Sequence, residues 1–387
     1  MTDKNDNIIF VMPSFSCDGK KGYEKLTLQW ISSLQSIKNI HVLNIGSYED
    51  SLIYNKQHNI TIHNRKISLF QSILNCFTAL FQLKPIQTNF LKTIDSKKYL
   101  AKLIQDLSPE KIVFVTIRTH NLSHKIPKSK KIMLAVDSMT LNFFGKYKNS
   151  SYFKKFIFWI EYILLTLKES KILNQYSRVV FVARRDALIY EDLNIDIIPL
   201  SITMPSFTEP SFHSNCTLLF TGNMDYEPNR TAIKWFYNNV WLPYDLGISE
   251  HMKLVVCGRG AKDWNFLRSK KDIEIRSDVK DIYKEIIECE IYIAPMQSGS
   301  GMQYKIIEAM ACSRPIVTTS PGVGSILLDH NNEKLLIADT AEAMYEAILK
   351  LHADINLRKQ LGHAARSYVS HNYSHDEVAK KVNYLFK

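Results

Sequence analysis

The sequence lacks the features that mark disulfide-rich or metal-binding proteins. Its 387 residues include only six cysteines, which form no C-x-x-C pair and mostly flank or lie within apolar segments. This usage is typical of buried thiols in a reducing compartment, without a disulfide or zinc framework. The twelve histidines form no H-E-x-x-H motif or similar cluster, so no metal site is expected.

Long apolar segments are also lacking. The nearest candidate, residues 156–167, is interrupted by Glu161 and is too short to span a bilayer. The apolar residues 8–15 are too few for a signal-peptide core followed by a cleavage site. Hydrophobic and charged contents of 45% and 22% are typical of globular domains. The sequence therefore predicts a cytoplasmic protein of two or three domains.

Negative charge is scarce in the first half of the chain. Residues 1–205 contain 28 Lys and Arg against 16 Asp and Glu, whereas residues 206–387 contain 21 against 22. The positive excess predicts an anionic partner for the first half. No nucleic-acid-binding motif is present, so nucleic acid is not expected to be that partner.

One basic segment favours an anionic membrane surface instead. Residues 146–160 interleave lysines with aromatic residues and lead into an apolar helix that extends to Leu173. Lysine and aromatic side chains together suit the headgroup layer of a bilayer. A core helix with solvated lysines at its beginning explains the same pattern equally well.

Short β-branched segments alternate with helical segments in two series. Strands are predicted at 8–12, 41–45, 112–116, 132–136 and 179–182, and then at 217–221, 253–257, 273–275, 291–294, 315–319 and 335–338. Such apolar strands between helices are typical of parallel sheets covered on both faces. We therefore predict two doubly wound α/β domains facing each other across a cleft.

The boundaries between these domains follow from composition. Residues 199–215 contain three prolines and four serines, as is typical of a linker. The predicted divisions are a first domain at 1–200, a linker at 201–215, a second domain at 216–370 and a last helix at 371–387. We expect that helix to pack back on the first domain.

The most informative segment is 299–308, which has the sequence GSGMQYKIIE and follows a predicted strand. Gly299 and Gly301 lack the side chains that would keep a phosphate away from the backbone N–H groups at a helix beginning. Lys305 and Glu308 lie on one face of the helix, where a cation and a carboxylate suit the phosphates and hydroxyls of a sugar nucleotide. An ordinary strand-to-helix connection with both charges solvated is the alternative.

Other loops of the second domain are expected at the same edge, because ligands of α/β domains lie beyond the carboxyl ends of the strands. Gly222 and Asn223 follow the first strand, Arg259 lies between two glycines after the second, and Arg276 follows the third. We predict that these residues bind the donor. Arg259 and Lys305 together could hold one diphosphate unless they are surface charges.

Two loops of the first domain carry candidate polar groups. Lys21 and Gly22 precede the first helix and have the same anion-facing arrangement. Asp137 directly follows the strand 132–136, so that its carboxylate would hold a sugar hydroxyl or accept a proton. The alternative for Asp137 is a helix N-cap.

Several segments of the second half resemble the retaining glycosyltransferases of family four, also called group one. Residues 308–317, EAMACSRPIV, are similar to their E-A-M-A-x-x-x-P-[IV]-V segment. Residues 219–229, LFTGNMDYEPN, and 301–311 resemble F-x-G-x-M-D-Y-x-P-N and G-[IM]-Q-x-K-x-x-E-A-M-A of a bacterial sugar-transferase branch. The resemblance covers 216–370, is faint over the first 200 residues, and implies the GT-B fold of two Rossmann-like domains.

The resemblance also implies roles for residues of the donor loop. By position, Glu308 would bind the ribose hydroxyls. Gly301, Met302 and Gln303 would offer backbone N–H groups to the diphosphate and the donor sugar, beside Lys305.

The sequence departs from the family pattern at three places. Ser300, which is also expected to bind the donor, stands where many members have a glutamate that contacts the donor sugar. Lys21 and Gly22 stand where members often have two glycines, and Asp137 where they often have histidine. His120 and His124 are therefore alternative candidates for the reacting sugar.

The function predicted from these features is sugar transfer with retention from a nucleoside-diphosphate sugar. Arg259, Lys305 and the helix N-terminus would neutralise the leaving diphosphate without a metal or another cofactor. The basic first domain would hold a glycan or lipid-diphosphate-linked acceptor of bacterial surface polysaccharide synthesis, at the inner face of the membrane. The alternatives are a sugar-nucleotide epimerase and an inactive GT-B scaffold or binding protein.

Overall fold

The computed structural model describes residues 6–46, 60–148, 150–190, 192–206, 216–247, 250–260, 272–298, 302–324, 326 and 334–387. The chain divides into two compact units. The first domain comprises Met1–Leu200 with Val378–Lys387, and the second comprises Ser201–Glu377.

The first domain is built on a sheet of seven parallel strands in the order β3-β2-β1-β4-β5-β6-β7. The order reverses between β1 and β4, which is where ligands of doubly wound folds bind. Its strands are β1 (Asn7–Met12), β2 (Asn39–Asn44), β3 (Ile60–Asn64), β4 (Lys111–Val115), β5 (Lys131–Val136), β6 (Arg178–Phe181) and β7 (Ile195–Ile197).

The helices of the first domain lie between these strands along the chain, except for His375–Tyr384, which follows the second domain. The α-helices are Gly22–Leu34, Leu69–Phe81, Ile86–Asn89, Ile94–Leu107, Met139–Lys148, Tyr152–Leu173, Arg184–Ala187 and His375–Tyr384, and the 3₁₀-helices are Ile117–Leu122 and Lys128–Lys130.

Two buried glutamates explain why charge interrupts the apolar helix Tyr152–Leu173. Glu161 accepts hydrogen bonds of 2.8 and 3.0 Å from the first two backbone N–H groups of the helix Ile86–Asn89. Glu169 accepts bonds of 3.0 and 2.8 Å from the first two N–H groups of the helix Met139–Lys148. Each carboxylate therefore satisfies helix-end donors that have no partner within their own helix.

The helix His375–Tyr384 completes the core of the first domain. Val378 and Val382 are fully buried in the cluster that contains Ile8, Phe10 and Met12 on one face of β1. Phe386 makes an edge-to-face contact with Trp30, with ring centroids 6.3 Å apart. The prediction that the last helix packs on the first domain is confirmed.

The second domain has a sheet of six parallel strands in the order β10-β9-β8-β11-β12-β13. These strands are β8 (Thr217–Thr221), β9 (Lys253–Cys257), β10 (Ile273–Arg276), β11 (Ile291–Ala294), β12 (Ile316–Thr318) and β13 (Leu336–Ile337). The α-helices are Glu227–Phe236, Ile282–Glu288, Tyr304–Ala311, Ser320–Val323, Ala341–Ala353 and Ile355–Tyr373, with a π-helix at Tyr237–Trp241.

Two strands of the first sheet, β3 and β7, were not expected. Both are edge strands, and most of their residues are only partly buried. They contain polar residues such as His63 and Asp196, so they lack the continuous apolar character of the central strands. The predicted class of two parallel α/β sheets is nevertheless confirmed.

Candidate active site

The loops after β8 and β9 meet at the carboxyl edge of the second sheet. The backbone N–H of Gly222 donates to the carbonyl of Cys257 (3.0 Å), and that of Met224 donates to the carbonyl of Arg259 (2.8 Å). Gly258 has a φ of +142°, and a Cβ there would lie 2.0 Å from the carbonyl oxygen of Gly222. Only glycine therefore allows the two backbones to approach this closely.

Lys305 extends from the first turn of the helix Tyr304–Ala311 toward these loops. Its ammonium donates to Oδ1 of Asn229, lies 3.8 Å from Sδ of Met296, and is 4.9 Å from the centroid of the Phe220 ring. Burial lowers the pKa of Lys305 to about 8, although the charge of Glu308 opposes the change. Within the described part of the chain, no carboxylate lies within ion-pair distance of Lys305.

Asn229 connects the lysine to the loop after β8. Its amide nitrogen donates to the carbonyl of Asn223 (2.8 Å), while its oxygen accepts from Lys305. Gly222 packs against this pair, because a Cβ at that position would lie 2.7 Å from Nδ2 of Asn229 and 3.3 Å from Nζ of Lys305. The structure thus brings the predicted residues Gly222, Asn223 and Lys305 together through a buried amide.

Glu308 lies one turn after Lys305 on the same helix and is partly buried. Its charge raises the pKa of Tyr283, after burial as the main cause. Met302 packs beside the apolar core, and Gln303 is buried at the beginning of the helix. Gly299, Ser300 and Gly301 lie outside the described residues, so their predicted contacts stay predictions.

The two predicted arginines differ in their surroundings. Arg259 is well exposed, and its Nε lies 3.4 Å from an oxygen of the equally exposed Asp225. Arg276 donates from Nε to Glu274 (2.8 Å) and from Nη1 to Glu285. The bond from Arg276, followed by one from Lys253, lowers the pKa of Glu274 to about 2. Arg276 is thus engaged by two carboxylates, whereas among the described residues Arg259 has one weak, solvent-screened partner.

In the first domain, Lys21 belongs to a polar cluster after β1. Its ammonium lies 2.8 Å from Oγ of Ser14, 3.3 Å from the hydroxyl of Tyr23 and 3.9 Å from Oε1 of Glu24. The buried Glu24 also accepts from the backbone N–H of Lys21 (3.0 Å). A Cβ at Gly22 would meet no atom within 4 Å, so this turn is open on that side.

Asp137 follows a strained residue, because Val136 has a φ of +74°. The Asp137 carboxylate accepts a hydrogen bond of 2.8 Å from Nδ2 of Asn142. Burial raises the pKa of Asp137, and the bond from Asn142 and the charges of Arg118 and Lys146 oppose the rise.

The N-cap alternative for Asp137 is wrong. Oγ of Ser138 accepts from the backbone N–H of Leu141 (3.2 Å), and Glu169 accepts from the first two N–H groups of the same helix. The helix Met139–Lys148 is therefore capped without Asp137, whose carboxylate is left for other contacts.

Neither His120 nor His124 directly follows a strand, as Asp137 does. Nδ1 of His120 lies 3.0 Å from the hydroxyl of the buried Tyr176. Burial, followed by the charges of Lys131 and His124, lowers the pKa of His120 to about 4. His120 is thus a neutral, inward-facing group, and His124 is exposed.

Comparison with known proteins identifies the family of the second domain. A sequence model described as glycosyl transferases group 1 matches residues 215–354, which include Gly222, Gly258, Asn229, Lys305 and Glu308. The second domain is that of a group 1 glycosyltransferase. It is similar to an uncharacterized 44.6 kDa protein in the cps region of Klebsiella pneumoniae, which is 23% identical over 329 residues, 80% of this chain and 81% of the relative.

Solved structures show the fold of the glycosyltransferase. A glycosyltransferase from Rickettsia africae has a TM-score of 0.65 at 16% identity, covering 99% of this chain and 98% of that one. Anabaena HepE in complex with UDP and glucose has a TM-score of 0.58 at 13% identity, covering 98% of each chain. The predicted GT-B fold is confirmed.

Sequence reasoning did not assign a role to Asn229, which ends the 219–229 motif of the glycosyltransferase. The signal was its position in the motif and in the first turn of a helix, yet its partner Lys305 lies 76 residues away. The ammonium also lies near Phe220, which was predicted only as part of a strand, and near Met296, for which no role was predicted. Contacts between distant segments of this kind require the fold.

Proposed function

We propose that the glycosyltransferase moves a sugar from a nucleoside-diphosphate sugar to a glycan or lipid-diphosphate-linked acceptor of a bacterial surface polysaccharide. The transfer proceeds with retention and needs no metal. It takes place in the cytoplasm at the membrane surface. The relative from a cps region supports this class of acceptor.

The desolvated ammonium of Lys305 carries the proposal. Burying a cation is unfavourable unless an anion compensates its charge. No carboxylate of the described residues lies within ion-pair distance of the Lys305 ammonium. The ammonium is held at the beginning of an eight-residue helix, where backbone N–H groups add a partial positive charge. A diphosphate bound there supplies the missing negative charge.

The same position suits the reaction as well as binding. Charge accumulates on the diphosphate as the bond to the sugar breaks, so a fixed cation stabilises the transition state more than the bound donor. Arg259, exposed at the rim of the adjacent glycine turn, can add a second cation once its weak contact with Asp225 opens. This pair takes the place that a divalent ion fills in other transferases.

The donor's nucleoside is held by the next turn of the helix. Glu308 lies one turn beyond Lys305, at the separation expected between ribose hydroxyls and a diphosphate. The similarity to HepE, solved with UDP and glucose, makes UDP the first nucleotide to test. Asp137 in the first domain serves the reacting sugar, because its carboxylate is not used to cap the neighbouring helix.

The test is a transfer assay with a panel of nucleoside-diphosphate sugars and membrane extract as the source of acceptor. We expect a labelled sugar to enter the extract with its anomeric configuration kept, as followed by NMR, and the activity to persist in EDTA. Loss of activity in EDTA with recovery on adding a divalent ion would reject the metal-free mechanism. Conversion of the donor to its epimer without acceptor, or no turnover of any donor, would reject transfer itself.

A further inference from the structure

The helix Leu69–Phe81 of the first domain is inverted relative to an ordinary surface helix. Its buried residues are the small or polar Ser72, Asn75 and Ala79. Its large apolar side chains face outward, and Phe70 and Phe81 are 72% and 89% exposed. The outward row consists of Leu69, Phe70, Ile73, Leu74, Phe77 and Phe81.

Polar contacts hold this helix in its inverted orientation. The buried amide of Asn75 donates to the carbonyl oxygens of Lys92 (2.8 Å) and Phe90 (3.4 Å), and its oxygen accepts from Gln71 (3.1 Å). These bonds fix the polar face of the helix toward the domain, so the apolar row makes no contribution to the core of the domain. A row of this size on a soluble surface marks an interaction site.

A second apolar surface is linked to the first through a short helix. On the helix Tyr152–Leu173, side chains including Phe156, Trp159 and Leu167 are exposed. Glu161 of this helix binds the beginning of Ile86–Asn89, which follows directly after the inverted helix. Its charge also contributes to raising the pKa of the Cys76 thiol, after burial as the larger cause. The helix Ile86–Asn89 packs against the inverted helix and so links it to the helix Tyr152–Leu173.

The charges around both helices have one sign. Residues 66–94 contain Lys66, Lys84 and Lys92 but no Asp or Glu, and residues 138–160 contain four lysines and no acidic residue. Tyr147, Tyr152, Lys155, Phe156 and Trp159 line a groove of about 250 Å³. Lysines and aromatic rings beside an apolar row match the anionic headgroups and acyl boundary of a bilayer.

We propose that these two helices form one membrane-docking surface that inserts into the interface of an anionic bilayer. Among the described residues, no helix is long and apolar enough to cross a membrane, and an interfacial position needs no such helix. This proposal rests on the membrane location given in the proposed function and names the surface that contacts the bilayer. It does not depend on which donor is used. It places the inverted helix, rather than the lysine-rich segment alone, at the centre of binding.

The experiment measures binding of the full-length protein to sedimented vesicles of neutral lipid with and without about one third anionic lipid. The test variant is Phe70→Gln, Phe77→Gln and Phe81→Gln combined. The matched control is Ile37→Gln, Leu188→Gln and Ile189→Gln combined, which changes exposed apolar residues elsewhere in the first domain. We expect at least a tenfold loss of vesicle affinity for the test variant and less than twofold for the control.

Charge and insertion are tested separately. Lys84→Gln and Lys92→Gln should each weaken binding to anionic vesicles about fivefold at low salt, and high salt should weaken wild-type binding. Brominated lipids should quench tryptophan fluorescence in the wild type, and Trp159→Phe should remove much of that quenching while keeping binding.

Two outcomes would overturn the proposal. Equal vesicle binding by the test variant and the control would show that the inverted helix does not contact lipid. A concentration-dependent dimer in light scattering, abolished by the test variant and unaccompanied by vesicle binding, would assign the surface to a second copy of the chain. UDP binding measured on the same variants separates this result from failure of the donor site, because none of the substitutions lies in the second domain.

Discussion

The two domains each contain a lysine at the beginning of a helix and a glutamate three residues later. Lys21 and Glu24 follow β1 of the first sheet, and Lys305 and Glu308 follow β11 of the second. Glu24 lies 3.9 Å from the Lys21 ammonium and binds the Lys21 backbone N–H, so the first pair balances its own charge. In the second pair the ammonium is desolvated against Asn229 and Phe220 instead. The same spacing therefore produces a structural pair in one domain and an available cation in the other.

The largest effect is expected from Lys305→Met, which keeps the shape of the side chain and removes its charge. Loss of one contact to a developing anion commonly lowers the rate about 100- to 1,000-fold, and donor affinity should fall much less. Steady-state kinetics with circular dichroism as a folding check measure this. A change of less than fivefold in kcat would show that Lys305 does not face the leaving group.

Glu308→Ala should weaken nucleoside-diphosphate binding at least tenfold without unfolding the domain. The reason is that a ribose-binding carboxylate makes charge-assisted hydrogen bonds, each contributing about 1.5–3 kcal/mol. Isothermal titration with UDP measures the change, with Glu346→Ala on a helix of the same domain as the control. An unchanged dissociation constant would remove Glu308 from the donor site.

Donor affinity should depend on pH through Lys305. Its pKa of about 8 in the free enzyme means that the ammonium loses its proton above that pH, so affinity should fall there toward that of Lys305→Met, by no more than about tenfold per pH unit. Lys305→Arg should flatten the profile, because a guanidinium stays charged throughout this range. Titrations between pH 6.5 and about 9.5 measure both enzymes. The same decline in the arginine variant would assign the titration to another group.

The smallest effect is expected from Lys21→Met, the counterpart of the first substitution. Lys21 is half-exposed and pairs with Glu24, and such pairs contribute about 1 kcal/mol or less. Donor dissociation constants should change less than threefold in the titration used for Glu308. A tenfold change would show that the two lysines share a role, which would remove the contrast between the domains.

The second domain could be predicted from the sequence more fully than the first. Its strands β8, β9 and β11 lie where the apolar segments placed them, because a parallel strand buried on both faces is continuously apolar. Its glycine turns were recognisable because close approach of two backbones, as at Gly258, allows few other residues. Backbone constraints of this kind leave a mark on the local sequence.

Other features depend on contacts between distant segments, which the local sequence does not indicate. The local sequence of the helix Leu69–Phe81 does not indicate which face is buried, because Asn75 reaches its carbonyl partners 15 and 17 residues away. Arg276 was expected to contact the donor, and only the fold shows that Glu285 of a later helix engages it. The capping of the helix Met139–Lys148 by the distant Glu169 likewise could not be predicted.

The chain order of the first domain has a consequence for its synthesis. Its core contains Val378, Val382 and Phe386, yet some 180 residues of the second domain are made between Leu200 and these side chains. At about 5–20 residues per second the ribosome needs roughly 10–40 s for that interval. During that interval, the apolar surface around Trp30 is not covered by the helix His375–Tyr384. The domain that emerges first is therefore the one that finishes folding last.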